Sequence, residues 1–506
     1  MSEPQNPTAA VASVPEKPAR PGFLIGIIVA AAFVMILNET TLSNALPDLM
    51  IEFNVGADTA QWLTTAFMLT MAVIIPMTGY LMARISSRVL FITALSLFVV
   101  GSVIATFAPE FWVLLIARIV QAAGTAIIMP MLMTSIMVLI PVEKRGAMMG
   151  VVAIVMAVGP AVGPTYAGVV LEIASWRWIF GTMIILGALA LAFGGAQMRA
   201  LTPTSRPPFD VFSAVLSALG FASTIYGLSK LSELADGFPT QSAIFLVIGV
   251  LILTLFFRRQ SALLKAQEAG EDVAPLMNIS PLKSREYNLS VAILLVGFCA
   301  LFGFIILMPI FGQQVLGLSA LQTGLVTLPG GILQGIMAPF IGRAYDAKGT
   351  RPLIIPGAAL LAVAMGLMVF VNEDTSIWYL ILDGVVLNAG MAMMMTPLMS
   401  NALSSINVKL SSHGSSILNT LQQLAGAAGT ALFVAIMGIG ASHSNATTPE
   451  GLPDPLGFVT DGVKIAFWFG VALAVIALVM TVIFRIDAKR EPVEVINSDD
   501  DAEVTA

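Results

Sequence analysis

Long apolar runs separated by short polar segments dominate this chain of 506 residues. A helix that crosses a membrane needs about 20 predominantly apolar residues. Runs of this kind predict 14 spans, which cover residues 23–46, 62–82, 89–107, 112–134, 147–171, 178–198, 210–230, 241–257, 288–311, 322–341, 352–371, 377–398, 414–439 and 463–484. The pattern therefore predicts an all-α integral membrane protein.

Composition agrees with this fold class and excludes several others. Hydrophobic residues make up 57% of the chain and charged residues 11%, and the mean hydropathy is +0.92, which is unlike a soluble domain. The net charge of -6 arises from outer loops and an acidic C-terminal tail, so nucleic-acid binding is not indicated. Cys299 is the only cysteine, which excludes an intramolecular disulfide.

The distribution of basic residues predicts the orientation in the membrane. If the N-terminus lies in the cytoplasm and the spans alternate, 20 of the 24 Lys and Arg residues fall inside, three fall outside, and Arg118 lies within a span. Positive residues concentrate on the cytoplasmic side of membrane proteins. We therefore expect a multi-pass protein of the cell membrane with both termini in the cytoplasm.

A short pattern occurs twice and indicates an internal repeat. The first copy follows span 2 (Gly79, Arg84, Arg88) and the second follows span 10 (Gly342, Asp346, Arg351). Gly79 and Gly342 are 263 residues apart (342 minus 79), close to the offset of 265 between the first spans of the two halves, which start at residues 23 and 288. Two parallel six-helix repeats with a substrate site between them are a common transporter plan.

The repeat predicts a division of the chain. We expect a disordered cytoplasmic N-terminus at 1–21, a six-helix bundle at 22–199, two inserted helices with a cytoplasmic loop at 200–287, a second six-helix bundle at 288–486 and an acidic cytoplasmic tail at 487–506.

Three ionisable side chains lie inside predicted spans: Glu39, Arg118 and Asp383. Such residues are costly in lipid and usually mark an ion or substrate path. Counting ~1.5 Å of rise per residue, all three lie ~10 Å below the outer boundary, in one layer, and could share a cavity. Glu39 is then a candidate proton carrier, and Asp383 is a candidate site for a cationic substrate. Arg118 would tune Glu39 or hold an outward gate. The alternative is a static buried ion pair between Arg118 and one acid.

Uncharged polar residues within the spans are weaker candidates for lining a substrate cavity. They are Asn38, Asn44, Asn419 and Gln423, and each of them fits a role in helix–helix packing equally well. Met391, Met393, Met394 and Met395 add adaptable apolar surface, which is also typical of simple packing.

Nothing in the sequence indicates an enzyme. Both histidines, His413 and His443, fall outside the predicted spans, and no metal-ligand cluster is visible. The chain has no phosphate-binding loop of the form GxxxxGK[ST], so an ion gradient rather than ATP, and no cofactor, is expected to supply the energy.

Four segments resemble signatures of the major facilitator superfamily, in particular its 14-helix drug:proton antiporters of the multidrug and lincomycin-resistance type. They are LNETTLSNALP at 37–47, the fourth-helix group Arg118, Gln121 and Gly124, the paired steps Gly159-Pro160 and Gly163-Pro164, and WRWIF at 176–180. The resemblance covers roughly residues 23–485. It implies a monomeric, proton-coupled multidrug efflux transporter that confers antibiotic resistance by exporting lipophilic, often cationic, compounds.

The resemblance also implies roles for single residues. Arg118 matches the arginine implicated in proton coupling, and the Gly-Pro steps match a mark of antiporters. The chain departs from the family at position 38, where Asn replaces the usual acid and Glu39 follows, and in the loop after span 2, where Ala83 and Ser86 replace an acid and a glycine. Asp346 in the equivalent loop is expected to take over the latch between the halves.

Two other transporter functions stay open at this point. An exporter of an endogenous metabolite, lipid or siderophore would show the same features, and an importer or uniporter is disfavoured only by the Gly-Pro motif.

Overall fold

The computed structural model describes residues 21–55, 57–198, 210–231, 240–271, 273–444, 446 and 454–483. Fourteen α-helices are found there: α1 (Pro21–Phe53), α2 (Ala57–Arg84), α3 (Ser87–Thr106), α4 (Phe111–Leu139), α5 (Arg145–Ile173), α6 (Arg177–Gln197), α7 (Val211–Ser229), α8 (Thr240–Glu268), α9 (Arg285–Gln314), α10 (Ala320–Lys348), α11 (Arg351–Leu367), α12 (Ile377–Ser404), α13 (Ser411–Ser442) and α14 (Pro455–Ile483). The predicted N-terminal segment, except for Pro21, and the predicted acidic tail lie outside the described residues.

The helices confirm the predicted fold class. Thirteen are long and apolar enough to cross a membrane, and α5, which bends by 42° between Pro160 and Thr165, brings the number to 14. The helices extend beyond the predicted spans; α1, for example, continues to Phe53 rather than ending at residue 46. Hydropathy marks only the part of a helix that lies in lipid, whereas backbone hydrogen bonding carries the helix further.

The helices pack as two groups that meet along two seams. Helices α1 to α6 pack on one another, as do α9 to α14, and the domain boundaries drawn from the sequence remain a prediction. One seam joins α5 to α10, and the other joins α2 to α13. Gly150 and Ala338 lie against each other in the first seam, as do Gly79 and His413 in the second.

The helix ends that carry Arg84, Lys144, Arg343 and Lys348 lie together on what we call the basic side of the molecule. The other end is called the opposite side. The name describes the charges alone.

Helices α7 and α8 form a pair outside both groups. α7 packs against α2 and α13 and so covers their seam, with Trp62 and Tyr226 stacked 6.1 Å apart between ring centres. Asp210 caps α7 and forms an ion pair with Arg259 of α8 at 2.8 Å. Burial raises the pKa of Asp210, but hydrogen bonds from Arg259 and Ser213 outweigh it and hold the pKa below its usual value.

On the opposite side, the WRWIF segment fastens α6 to the end of α1. Trp176 Nε1 donates a hydrogen bond to Glu52 Oε2 at 2.5 Å, and Arg177 pairs with the other carboxylate oxygen. Burial raises the pKa of Glu52, but these two hydrogen bonds outweigh it and hold the pKa below its usual value. The segment therefore has a packing role near the membrane boundary.

Candidate functional site

Arg118 occupies the interior of the first helix group. It lies near the start of α4, is 0% exposed, and is among the largest fully buried side chains of the described residues. A charge in such a place requires compensation by hydrogen bonds or an opposite charge. Its surroundings therefore define the site.

Neutral groups supply the hydrogen bonds to this guanidinium. Nη1 donates to Asn38 Oδ1 of α1 at 2.8 Å and to Gln121 Oε1 of α4 at 3.0 Å. Nε donates to the Leu63 carbonyl of α2 at 3.5 Å, and the guanidinium carbon lies 4.2 Å from the centre of the Phe67 ring. Three helices therefore converge on one cation.

The hydrogen-bond network continues away from Arg118. Gln121 Nε2 donates to Ser102 Oγ of α3 at 2.9 Å, and Ser102 Oγ in turn donates to the Phe98 carbonyl at 2.8 Å. Because the amide of Gln121 is held at both ends, the orientation of Arg118 is fixed. Ser102 and Phe67 are parts of the site that sequence reasoning missed, since a serine or a phenylalanine in an apolar span carries no signal of its own.

Glu39 lies next to this network without being tied to it. It is half-buried and interacts electrostatically with Arg118. Within the described part of the chain no hydrogen bond or ion pair joins the two side chains. One step along α1 rotates a side chain by about 100°, which explains why Asn38 faces the guanidinium directly and Glu39 does not. The static ion pair considered from the sequence is therefore not the arrangement found.

Asp383 lies in the second helix group and does not meet Arg118. Its side chain is 0% exposed, and neither carboxylate oxygen has a hydrogen-bond partner among the described residues. All the described hydrogen-bond partners of Arg118 belong to α1, α2 and α4. Asp383 and Arg118 were expected at the same depth in the membrane, but the structure does not bring the two side chains into contact.

Two amides of α13 lie between the helix groups. Asn419 Nδ2 donates to Met133 Sδ of α4 at 3.3 Å and to the Ser415 carbonyl, and Gln423 Nε2 lies 3.6 Å from Met71 Sδ of α2. Both amides therefore face the first group across the seam. The side chain of the fourth predicted polar candidate, Asn44, lies outside the described residues.

A third amide makes a similar contact inside the second group. Gln334 Nε2 of α10 lies 3.9 Å from Met395 Sδ of α12. Thioethers are polarisable and conformationally adaptable, and of the four methionines singled out from the sequence Met395 is the one in contact with this amide. The methionines of α4 and α2 were not singled out from the sequence, because their role depends on which helix faces them.

Asp346 closes the seam between α5 and α10 on the basic side. Its two carboxylate oxygens accept hydrogen bonds from the backbone N–H groups of Gly146 and Ala147, each at 3.1 Å. These groups belong to the first turn of α5, where free N–H groups and the helix dipole favour an anion. A Cβ atom on Gly342 would collide with the backbone of Gly146, so the glycine permits this close approach.

Near the end of α2, the seam between α2 and α13 is held by different contacts. Thr78 and Ser416 share a 2.7 Å hydrogen bond, and Gly79 lies against the ring of His413. His413 Nδ1 accepts a 3.3 Å hydrogen bond from the backbone N–H of Asn278. The expectation that both histidines lie outside the helices is therefore wrong for His413, which belongs to α13.

The basic residues of the repeated pattern have separate surroundings. Arg84 donates to the Tyr80 hydroxyl at 2.7 Å, and Arg351 Nη2 donates to the Val482 carbonyl at 3.2 Å. Arg88 is exposed. Arg84 and Arg351 therefore each have a hydrogen-bond partner in their own helix group.

The Gly-Pro steps bring α5 against α1. A Cβ atom on Gly159 would lie 2.7 Å from Ile36 Cγ2, and one on Gly163 would collide with the Thr40 hydroxyl. Pro160 marks the start of the 42° bend, and the side chain of Pro164 is outside the described residues. These glycines therefore hold the curved half of α5 next to the segment of α1 that carries Asn38 and Glu39.

Similarity to known proteins covers most of the chain. The sequence model for the Major Facilitator Superfamily matches residues 28–214 and 211–430. Lincomycin resistance protein LmrB of Listeria monocytogenes is 36% identical over 467 residues, which is 92% of this chain and 97% of the relative. LmrB of Bacillus subtilis is 37% identical over 456 residues, covering 89% of this chain and 93% of that protein.

Other similar proteins extend the comparison. The uncharacterised MFS-type transporter YcnB of Bacillus subtilis is 35% identical over 482 residues, 95% of this chain and 98% of its own length. Among solved structures, the human organic anion transporter MFSD10 (TETRAN) superposes with a TM-score of 0.64 at 14% identity, covering 92% of this chain and all of its own; at that identity the likeness concerns the fold. The match of the family model together with relatives above 30% identity places the chain in a family: it is a member of the Major Facilitator Superfamily.

Proposed function

We propose that this protein exports lipophilic, often cationic, drugs from the cytoplasm in exchange for protons, without a cofactor and as a monomer. The observation that carries the proposal is the placement of Glu39 beside a fully buried Arg118 whose hydrogen bonds go to Asn38 and Gln121. The similarity to the lincomycin resistance proteins supports the drug class.

A carboxyl group beside a buried cation can exist in two charge states. Burial favours its protonated form, whereas the nearby guanidinium favours its ionised form, so a modest change in hydration or geometry shifts the balance. Because Arg118 is held by Asn38 and Gln121, Glu39 gains or loses a proton without breaking the hydrogen bonds of the arginine. Glu39 thus suits reversible proton binding, with Arg118 setting the local potential.

Exchange follows if a proton and a cationic substrate cannot both be bound. In the proposed cycle, substrate entering from the cytoplasm displaces the proton from Glu39, and a proton from outside displaces the substrate after the helix groups have rocked. Asn419 and Gln423 would contact the substrate between the groups, with Asp383 as a second attractive charge. In this scheme the basic side is the cytoplasmic side.

Closure on the basic side fits one state of that cycle. The bonds of Asp346 to the start of α5 and the Thr78–Ser416 bond both join the two helix groups there. We assign this conformation to the stage at which the cytoplasmic entrance is shut. Rocking towards the cytoplasm would require these contacts to part.

Vesicles without nucleotide provide the test. Purified protein reconstituted in liposomes with an imposed pH gradient should move ethidium or lincomycin against its concentration gradient, and an uncoupler should abolish the movement. Transport that needs ATP, or that survives collapse of the gradient unchanged, would refute proton exchange. A panel that also contains cellular metabolites decides between drug export and export of an endogenous compound.

A further inference from the structure

A cavity opens on the basic side where the two helix groups meet. Its volume is about 550 Å³, and both groups contribute to its lining, which consists of Ile140, Lys144, Ala147, Met148, Arg343, Asp346 and Ala347. It is separate from Glu39 and Arg118, which lie deeper within the spans. This cavity has no role in the transport cycle proposed above.

The charges of the cavity favour an anion. Lys144 and Arg343 are both exposed, and neither has an ion-pair partner among the described residues. The third charged group, Asp346, already accepts two backbone N–H groups of α5. Two cations and one satisfied carboxylate leave an excess of positive charge.

The position and the remaining walls favour an amphiphile. The cavity lies at the first turn of α5 and the last turns of α10, where the spanning segments end, so it faces the headgroup layer of a bilayer. Ile140, Ala147 and Met148 supply an apolar wall next to the cations. Basic clefts between membrane helices at this level are suited to the headgroups of anionic lipids.

We propose that this cavity binds an anionic phospholipid of the leaflet on the basic side. The phosphate would lie between Lys144 and Arg343, and the start of an acyl chain would lie along Ile140 and Met148. Because Lys144 belongs to the first helix group and Arg343 to the second, the lipid would bridge both groups beside the Asp346 contact. Bound lipid thus favours the state that is closed on the basic side.

Native mass spectrometry of the full-length protein tests the site directly. Phosphatidylglycerol should bind wild-type protein at one saturable site, whereas phosphatidylcholine should not. Each cation near a membrane surface adds about fivefold to the affinity for an anionic lipid, so K144Q/R343Q should weaken phosphatidylglycerol binding about 30-fold. K265Q/R285Q removes one exposed lysine and one exposed arginine from the same side and should leave binding unchanged.

Two further measurements separate the possible outcomes. If sn-glycerol 3-phosphate competes as well as phosphatidylglycerol does, the site takes a free phosphate and the lipid proposal is overturned. Equal binding by K144Q/R343Q and wild type overturns the site itself. The thermal shift of wild-type protein on adding phosphatidylglycerol, compared with phosphatidylcholine, needs no variant; a shift of equal size with both lipids also counts against the proposal.

Discussion

Arg118 on α4 and Asn38 on α1 are joined by a hydrogen bond of 2.8 Å between Nη1 and Oδ1. This contact joins two helices of the first group through a neutral amide instead of a carboxylate. An acid at position 38 would pair with the guanidinium directly, whereas here the only acid of α1 near Arg118 is the adjacent Glu39. In the proposed mechanism, Asn38 therefore orients the arginine and the neighbouring Glu39 carries the charge, so two tasks are divided between adjacent residues.

Replacing Glu39 tests the proposed proton carrier. Glu39→Gln keeps the size of the side chain but fixes it in a neutral state, so proton-driven export of every substrate should fall to background. Substrate-induced proton release from detergent-solubilised protein should vanish as well. Glu110→Gln changes an exposed acid near the opposite side and serves as the control. Normal proton release from Glu39→Gln would rule out this residue as the carrier.

If Asn38 orients Arg118 while Glu39 carries the proton, an acid introduced at position 38 should partly restore transport in a variant that lacks Glu39. Asn38→Asp places a carboxylate where Arg118 already has a hydrogen-bond partner, so Asn38→Asp/Glu39→Gln should recover part of the pH-driven transport that Glu39→Gln alone loses. Asn38→Ala/Glu39→Gln lacks both the acid and the partner of Arg118 and should stay inactive. Transport is measured in liposomes at equal protein density. If the aspartate variant is as inactive as the alanine variant, position 38 cannot carry the proton.

Because α5 lies so close to α1, adding a single methyl group at the contact should slow transport. Gly163→Ala would collide with Thr40 and Gly159→Ala would crowd Ile36, so both should slow exchange at least several-fold while folded protein remains in the membrane. Overpacking of this kind costs about 1–3 kcal/mol. Gly168→Ala is the matched control in the same helix, since its nearest neighbour is 3.8 Å away. Equal activity of all three variants would mean that this contact does not limit transport.

Asp346 should stabilise closure on the basic side. Asp346→Asn removes the negative charge that lies against the first turn of α5, together with one of the two hydrogen bonds, at a cost of about 0.5–2 kcal/mol. In a Cys299→Ser background, a cysteine introduced at the buried Ala338 should then react faster with a soluble thiol reagent. Asp374→Asn, an exposed acid of another loop, should not change the rate. An unchanged rate in Asp346→Asn would show that closure does not depend on this carboxylate.

Asp383 should contribute to substrate charge selection rather than to folding. Its carboxylate has no hydrogen-bond partner among the described residues, so Asp383→Asn should not lower the melting temperature of the protein. A desolvated charge contact is worth about 1–3 kcal/mol, and export of dicationic dyes should therefore weaken about 5- to 150-fold more than that of monocationic dyes. Loss of proton release in Asp383→Asn would instead make α12 the coupling helix.

Hydropathy alone determined the fold class of this protein. The apolar runs specify membrane helices because a backbone in lipid must satisfy its hydrogen bonds within each segment, and the recurrence at Gly79 and Gly342 revealed the repeat. The sequence also singled out Glu39, Arg118 and Asp383, since a charge within an apolar span is visible without any structure. The apolar runs and the charges within them are visible in a single segment, and the repeat is visible by comparing two segments of the chain.

Only the tertiary structure decided which of these residues meet. Counting residues along each span placed Arg118 and Asp383 at the same depth in the membrane, but their helices belong to different groups. Where a side chain points depends on the rotation of its helix about the helix axis, and packing against neighbouring helices sets that rotation. That rotation brings Asn38 to the guanidinium, Asn419 to Met133 and Asp346 to the first turn of α5. Depth follows from counting residues along one helix, whereas contact depends on the packing of several helices against one another.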